Sequence, residues 1–142
     1  MKMTDPKFYK KMNVSLWTLQ WTLSLLMLSG AIMKFMPIAN IASIMPWMGQ
    51  VPEYMVRGLG FIDLAAAVGI VLPALLRRNR RMTLFAAAGI FLLMICAVVF
   101  HLFRGEAESI AVNIFTGILA LLVGVGRWYE LREAGKKGLT IC

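Results

Sequence analysis

Four side chains in this 142-residue sequence hold most of its capacity for chemistry: the amine of Lys34, the carboxyl of Asp63, the imidazole of His101 and the amide of Asn113. Each stands in apolar surroundings. The chain's single histidine closes the run FLLMICAVVFHLF and is followed at once by Arg104, Gly105 and Glu106. Brought together, an acid, a cation, an imidazole and an amide could hold the oxygens of a small ligand and relay a proton. The same set could equally be a structural ion pair with bystanders. Cys96 and Cys142 form neither a C-x-x-C pair nor a zinc-like spacing, so no metal site is expected. There is no haem histidine pair and no nucleotide or flavin fingerprint, so no covalently bound cofactor is expected and catalysis by this chain alone is not supported.

Whether those four residues meet depends on the solvent around the elements that carry them. Hydrophobic residues make up 60% of the chain and charged residues 15%, with a mean hydropathy of +0.75. A water-soluble domain of this size would be left with large exposed apolar patches. The charges also leave long gaps. None falls between Lys11 and Lys34, Arg81 and Arg104, or Glu108 and Arg127, and only Asp63 falls between Arg57 and Arg77. A helix needs roughly 20 apolar residues to cross the ~30 Å hydrocarbon core, and backbone groups in lipid must bond within their own segment. The gaps therefore predict an all-α, polytopic membrane protein, an antiparallel bundle of four transmembrane helices near 15–35, 56–76, 82–103 and 109–129. One domain, 1–142, accounts for the whole sequence.

The net charge of +8 reports orientation. Lys2, Lys7, Lys10, Lys11, Arg77, Arg78, Arg80, Arg81, Arg127, Arg132, Lys136 and Lys137 fall on one side of an up-down-up-down bundle, against Lys34, Arg57 and Arg104 on the other. This positive-inside pattern puts both termini at the cytoplasmic face of the cell membrane and argues for contact with anionic lipid, with no role in binding nucleic acid. A cleavable signal peptide is the alternative for the first helix, but the run from Met12 to Met33 is long for one, so an uncleaved span is expected.

With that orientation, Lys34 lies near the outer end of the first span, and Asp63 lies roughly 10 Å below the outer boundary at 1.5 Å per residue. His101 ends the third span on the same side, and Asn113 lies one turn into the fourth. All four share the outer third of the membrane, one from each helix, where ionisable residues mark function or a pair. Faces agree with depth: Gln20, Ser24, Met27, Ala31 and Lys34 form one stripe of the first helix, and Ala87, Ile90, Met94, Ala97 and His101 one stripe of the third. Gln20 and Arg127 lie towards the inner side, too far to join the outer set, and Arg127 is read as a helix-end anchor. Glu106 and Glu108 are read as solvated loop carboxylates, Glu106 remaining a secondary site candidate along with Gln20. Small residues mark helix contacts: Gly58, Ala65 and Gly69 on the second span, Ala86 to Gly89 on the third, and Asn113, Gly117, Ala120 and Gly124 on the fourth. The segment MPIANIASIMPWMGQVPEYM, with three prolines, few charges and Trp47 and Tyr54, predicts a short interfacial helix or re-entrant lid over the outer mouth.

Taken in order, Trp17-x-Leu19-Gln20, Ser29-Gly30-x-x-x-Lys34, Asp63, Leu72-Pro73, Met94-x-x-Ala97-x-x-x-His101-Leu102, Arg104-Gly105-Glu106 and Asn113 resemble the DoxX-like family over roughly Leu16 to Arg127. One departure is Asp63, where glutamate is the commoner acid, so pairing distances there need not match the family's. The resemblance implies a four-helix integral membrane protein associated with membrane redox complexes; the family takes its name from the small subunit of a thiosulfate:quinone oxidoreductase. It also implies that Lys34, Asp63, His101 and Asn113, and with less weight Gln20, are its polar site positions. Three readings follow. One is a non-autonomous subunit in membrane redox homeostasis, with a quinone or small-molecule pocket near the outer leaflet and a redox-enzyme partner. The second is a structural or assembly subunit, in which the polar cluster fixes the bundle. The third, a small four-helix transporter, ranks last because such exporters carry their acid in the first helix. Association of the chain with itself is left open.

Overall fold

The computed structural model describes residues 6–76 and 81–136, the side chains of 6, 134 and 135 excepted. Its elements run α1 (Pro6–Phe35), α2 (Ile38–Ile41), a 3-10 turn (Pro46–Gly49), α3 (Glu53–Leu75), α4 (Arg81–Arg104) and α5 (Ala107–Lys136), with no strand among the described residues. Four of these helices, α1, α3, α4 and α5, are long and apolar enough to cross a bilayer. The chain is a multi-pass membrane protein. Much of the expected basic set (Lys2, Arg77, Arg78, Arg80 and Lys137), together with Cys142, lies outside the described residues.

The helices overrun the expected spans. α1 begins at Pro6, where a proline loses no helical hydrogen bond, and α5 continues to Lys136. The overruns carry Lys7, Lys10, Lys11 and Arg132, so charge clustering marks where the helices leave the apolar layer and not where they stop. α1 packs chiefly on α3 and α4 chiefly on α5; contacts between α3 and α4 and between α1 and α5 close the bundle. Leu23, Met27, Ile70, Ala87, Ile90, Ala120 and Val123 fill its core. Outward faces carry large apolar groups, among them Leu25, Phe61, Phe85, Leu92 and Phe115. Helices apolar all round are what lipid on one side and protein on the other require.

Close approach follows the small residues, with one correction. A Cβ at Gly117 would lie 3.4 Å from Met94 Cβ and one at Gly124 3.6 Å from Ala87 Cβ, so the α5 stripe does pack on α4. On α3, Gly69 meets Ala86, but Gly58 has nothing within 4 Å and Ala65 is exposed. The buried small residues nearby are Gly60 and Ala67, two positions along in each case. Spacing alone identifies a stripe of small residues without saying whether it faces protein or lipid.

Residues 36–52 fold over one end of the bundle as a lid. Pro37 precedes α2, Pro46 opens the 3-10 turn and Pro52 precedes α3, so each proline starts an element it could not sit inside. Ile41, Trp47 and Met48 are buried against Val56 and Met33.

Candidate functional site

At the lid end, the last turn of α1 and the middle of α3 bring Lys34 Nζ to 2.6 Å from Asp63 Oδ2, with side-chain exposures of 16% and 7%. Two glycines make room for the pair. A Cβ at Gly30 would lie 3.0 Å from Asp63 Oδ2, and one at Gly60 would lie 3.1 Å from Lys34 Cβ and 3.2 Å from Phe35 Cζ. Among the described residues the one other hydrogen-bond acceptor at Lys34 Nζ is the Gly30 carbonyl at 3.4 Å, longer than an ordinary N–H···O bond. On the α3 side, Arg57 donates to the carbonyls of Lys34 (2.6 Å) and Met36 (2.8 Å) while held by Glu53 at 2.7 Å. It thereby satisfies carbonyls left open at the end of α1 and anchors the start of the lid.

The end of α4 builds a second pair from local geometry. Gly105 has φ +70°, its N–H donates to the Leu102 carbonyl at 3.2 Å, and the Glu106 N–H donates to the His101 carbonyl at 3.1 Å. These are the two hydrogen bonds of a Schellman motif, which brings the residue after the glycine back over the last turn. The usual partners at those two positions are apolar; here they are His101 and Glu106, with Nδ1 2.6 Å from Oε2. Arg104 Nε donates to the other oxygen, Oε1, at 2.9 Å, and its Nη2 donates to Gln50 Oε1 on the lid. Partial burial pushes the Glu106 carboxyl up, but the hydrogen bonds from His101 and Arg104 and their charges outweigh it and hold it below the ordinary carboxylate range. The expected solvated loop carboxylate is thus a paired one.

Trp47 sits between the pairs. Its ring centroid is 6.0 Å from Lys34 Nζ and 6.0 Å from the His101 ring, which it meets edge-on at 78°. Phe100 closes the cluster, 5.9 Å from Trp47 and 5.2 Å from His101. Lys34, Asp63 and His101 are therefore gathered at one end of the bundle, with an indole separating the imidazole from the ion pair.

Asn113 does not join them. It is half-buried along an apolar groove of about 260 Å³ between α4 and α5, with Phe91, Met94, Val98 and Gly117. It continues the small-residue stripe that faces α4, so it lines that groove and not the lid-end pairs. A second α4–α5 groove, of about 280 Å³, runs past Ala88, Gly124 and Trp128. Neither groove includes Lys34, Asp63 or His101.

Gln20 belongs to a cluster at the opposite end. It is fully buried, its Nε2 donates to the Ile70 carbonyl at 2.6 Å, and its Oε1 accepts from Arg127 Nε at 2.9 Å and from Arg127 Nη2. Arg127 is 3% exposed and also meets Asn13 at 3.2 Å, Glu130 at 2.6 Å and, at 5.5 Å, the ring of Trp17. It is a buried tie joining α1, α3 and α5, not a helix-end anchor. Its signal in the sequence was the level it shares with Trp17 and Gln20. Trp47, Gln50 and Arg57 had weaker signals, because their positions depend on the fold of the lid.

No curated protein and no solved structure gives a match to the chain. The family model described as the DoxX-like family matches residues 18–132, a stretch that takes in the lid-end cluster, Gln20 and Arg127, all of α3 and α4 and most of α1 and α5. The chain belongs to the DoxX-like family.

Proposed function

We propose that this protein is a non-autonomous subunit of a membrane redox system, with both termini cytoplasmic, whose lid-end cluster takes a planar, oxygen-substituted ring of the quinone class at the outer leaflet of the cell membrane. The observation that carries the reading is the placement of Trp47: a buried aromatic ring held by the lid, with a cation on one contact and an imidazole on another. A ligand ring displacing or stacking on that indole would find Lys34 and His101 as the polar groups for its oxygens. Asp63 holds the Lys34 amine in place, and the lid keeps bulk water off both. Bound there, a quinone would supply the two-electron, two-proton chemistry that these side chains lack. Electrons would be exchanged with the ring through a partner subunit.

A structural reading competes, favoured by one observation: Lys34 and Asp63 satisfy each other and Trp47 fills the space beside them. Binding separates the two readings. Titration of the purified protein in nanodiscs with a short-chain benzoquinone, followed by tryptophan quenching, should give saturable binding. The double variant Asp63→Asn with Lys34→Met, and separately His101→Ala, should fold and weaken that binding by about tenfold or more, the value of one lost hydrogen bond to a charged or buried group. Undiminished binding by both folded variants would leave only the structural reading.

A further inference from the structure

The local geometry at the end of α4 sets which hydrogen-bonding role His101 can play. Glu106 is a carboxylate that already accepts from Arg104 through Oε1, and its Oε2 lies 2.6 Å from His101 Nδ1. An ionised carboxylate only accepts, so a neutral imidazole in this contact must carry its proton on Nδ1. The low-lying acidity of Glu106 keeps it ionised throughout the neutral range. The other nitrogen, Nε2, then bears a lone pair. Among the described residues no hydrogen bond to it is formed and it is not fully enclosed, while the ring that carries it is 6% exposed and in contact with Trp47 and Phe100. The neighbouring cation has the opposite character: the Lys34 ammonium can only donate.

We infer that the His101–Glu106 dyad makes His101 a hydrogen-bond acceptor towards the lid-end site, so that the site selects ring ligands bearing a hydroxyl, the hydroquinone form, over the dicarbonyl quinone. This rests on the ring-binding reading above and sharpens it. A hydroxyl donates to Nε2 while a ring oxygen accepts from Lys34. A quinone, which has only acceptors, leaves Nε2 facing a carbonyl oxygen. A site built around a specific donor–acceptor pairing rejects the analogue that leaves a buried group unpaired. Glu106 acts here as a positioning residue, fixing the tautomer from behind as second-sphere carboxylates do for other imidazoles. The Schellman turn explains the order His-x-x-x-Gly-Glu, since Gly105 in the left-handed region is what returns the carboxylate to the ring.

The selection reverses when the imidazole takes a second proton, because Nε2 then donates. The groups facing the ring are Glu106 with Arg104 behind it, and Lys34 with Asp63 beyond Trp47. His101 is the chain's only histidine, so its state can be read without assignment. The experiment is nitrogen NMR of the protein labelled with 15N-histidine in nanodiscs, with a short-chain benzoquinol and its benzoquinone titrated anaerobically into the same samples. Above the imidazole's titration in those spectra, the expected result is a neutral ring protonated at Nδ1, and at least about tenfold tighter binding of the quinol. The variant Glu106→Leu puts an apolar residue where Schellman motifs commonly have one. It should keep the fold and lose the preference. A ring protonated at Nε2, or equal affinity for the two forms, overturns the selection and leaves the ring site standing. Binding of neither form overturns the ring site and the selection with it.

Discussion

Replacing Asp63 by asparagine keeps the shape of the side chain and removes its charge, leaving the Lys34 ammonium to its remaining contacts. Those are few: the Gly30 carbonyl at 3.4 Å and the Trp47 ring at 6.0 Å, the outer limit of a cation–π contact. Breaking a buried pair by removing one partner costs about 3–5 kcal/mol. The low end applies to Asp63→Asn, about 3 kcal/mol, because the amide oxygen still accepts and Lys34 is exposed enough to reach towards water. Lys34→Met is the harsher change. It strands a carboxylate whose side chain is 7% exposed and which has no other hydrogen-bond partner among the described residues, so the upper end, about 5 kcal/mol, applies. With both substitutions no charge remains, and the double variant should be more stable than Lys34→Met alone by about 2 kcal/mol, so that the two single costs fail to add by about 5 kcal/mol, because each single change leaves a charge without its partner. SDS-driven unfolding in mixed micelles, followed by circular dichroism, measures all four proteins on one scale. Costs that add to within about 0.5 kcal/mol would mean that the two side chains do not stabilise each other, and the packing argument around Gly30 and Gly60 would fall with the pair.

Three further outcomes are expected. Arg127→Leu should destabilise the bundle by about 3 kcal/mol, since it leaves the fully buried Gln20 Oε1 unpaired, and Gln20→Leu added to it should recover part of the loss in the same unfolding assay. Because Glu106 has its folded pKa below the ordinary value, the stability it contributes is present above the ordinary carboxylate range and is lost as pH falls through the folded value; acid unfolding of Glu106→Leu should therefore show a shallower limb in that window, and identical limbs would contradict the pairing. Cys142 should react with a membrane-impermeant thiol reagent only after cells are opened; labelling from outside intact cells would reverse the orientation and move the lid-end cluster to the cytoplasmic side.

What could be read from the sequence follows from what each signal measures. A gap of about 20 residues without charge has few homes besides a bilayer, so the four spans and their antiparallel order were legible. Helical period then put Gln20, Ser24, Met27, Ala31 and Lys34 on one face, and Gln20, Met27 and Ala31 are buried there while Ser24 and Lys34 are half-buried. The Lys34–Asp63 contact was legible because counting rise along two straight helices places both at one level. The same count misplaced Asn113, since rise gives height and not direction, and the Gly117–Gly124 stripe turns that face towards α4. It gave Glu106 only as a secondary candidate, read as a solvated loop carboxylate, because a left-handed glycine sends the chain back over the turn it has just left, and no periodicity records that reversal. Arg127 looked terminal because the span was expected to stop at 129. The helix runs on to Lys136, which makes Arg127 an interior residue that must be paired.

The charges show why His101 stands apart from the other polar groups. Lys34, Arg57, Arg104 and Arg127 each face a carboxylate within salt-bridge distance: Asp63, Glu53, Glu106 and Glu130. Each of these four cations is thus cancelled locally, as the cost of an isolated charge in the apolar layer demands. Glu106 serves two partners, and Arg104 already balances its charge. A proton added to His101 therefore leaves the trio with a net positive charge, whereas a neutral His101 leaves it balanced. The arrangement uses Glu106 to orient the imidazole while its countercharge is taken up by Arg104. Arg104 in turn donates to Gln50, so the group that balances the dyad also ties down the lid beside Trp47.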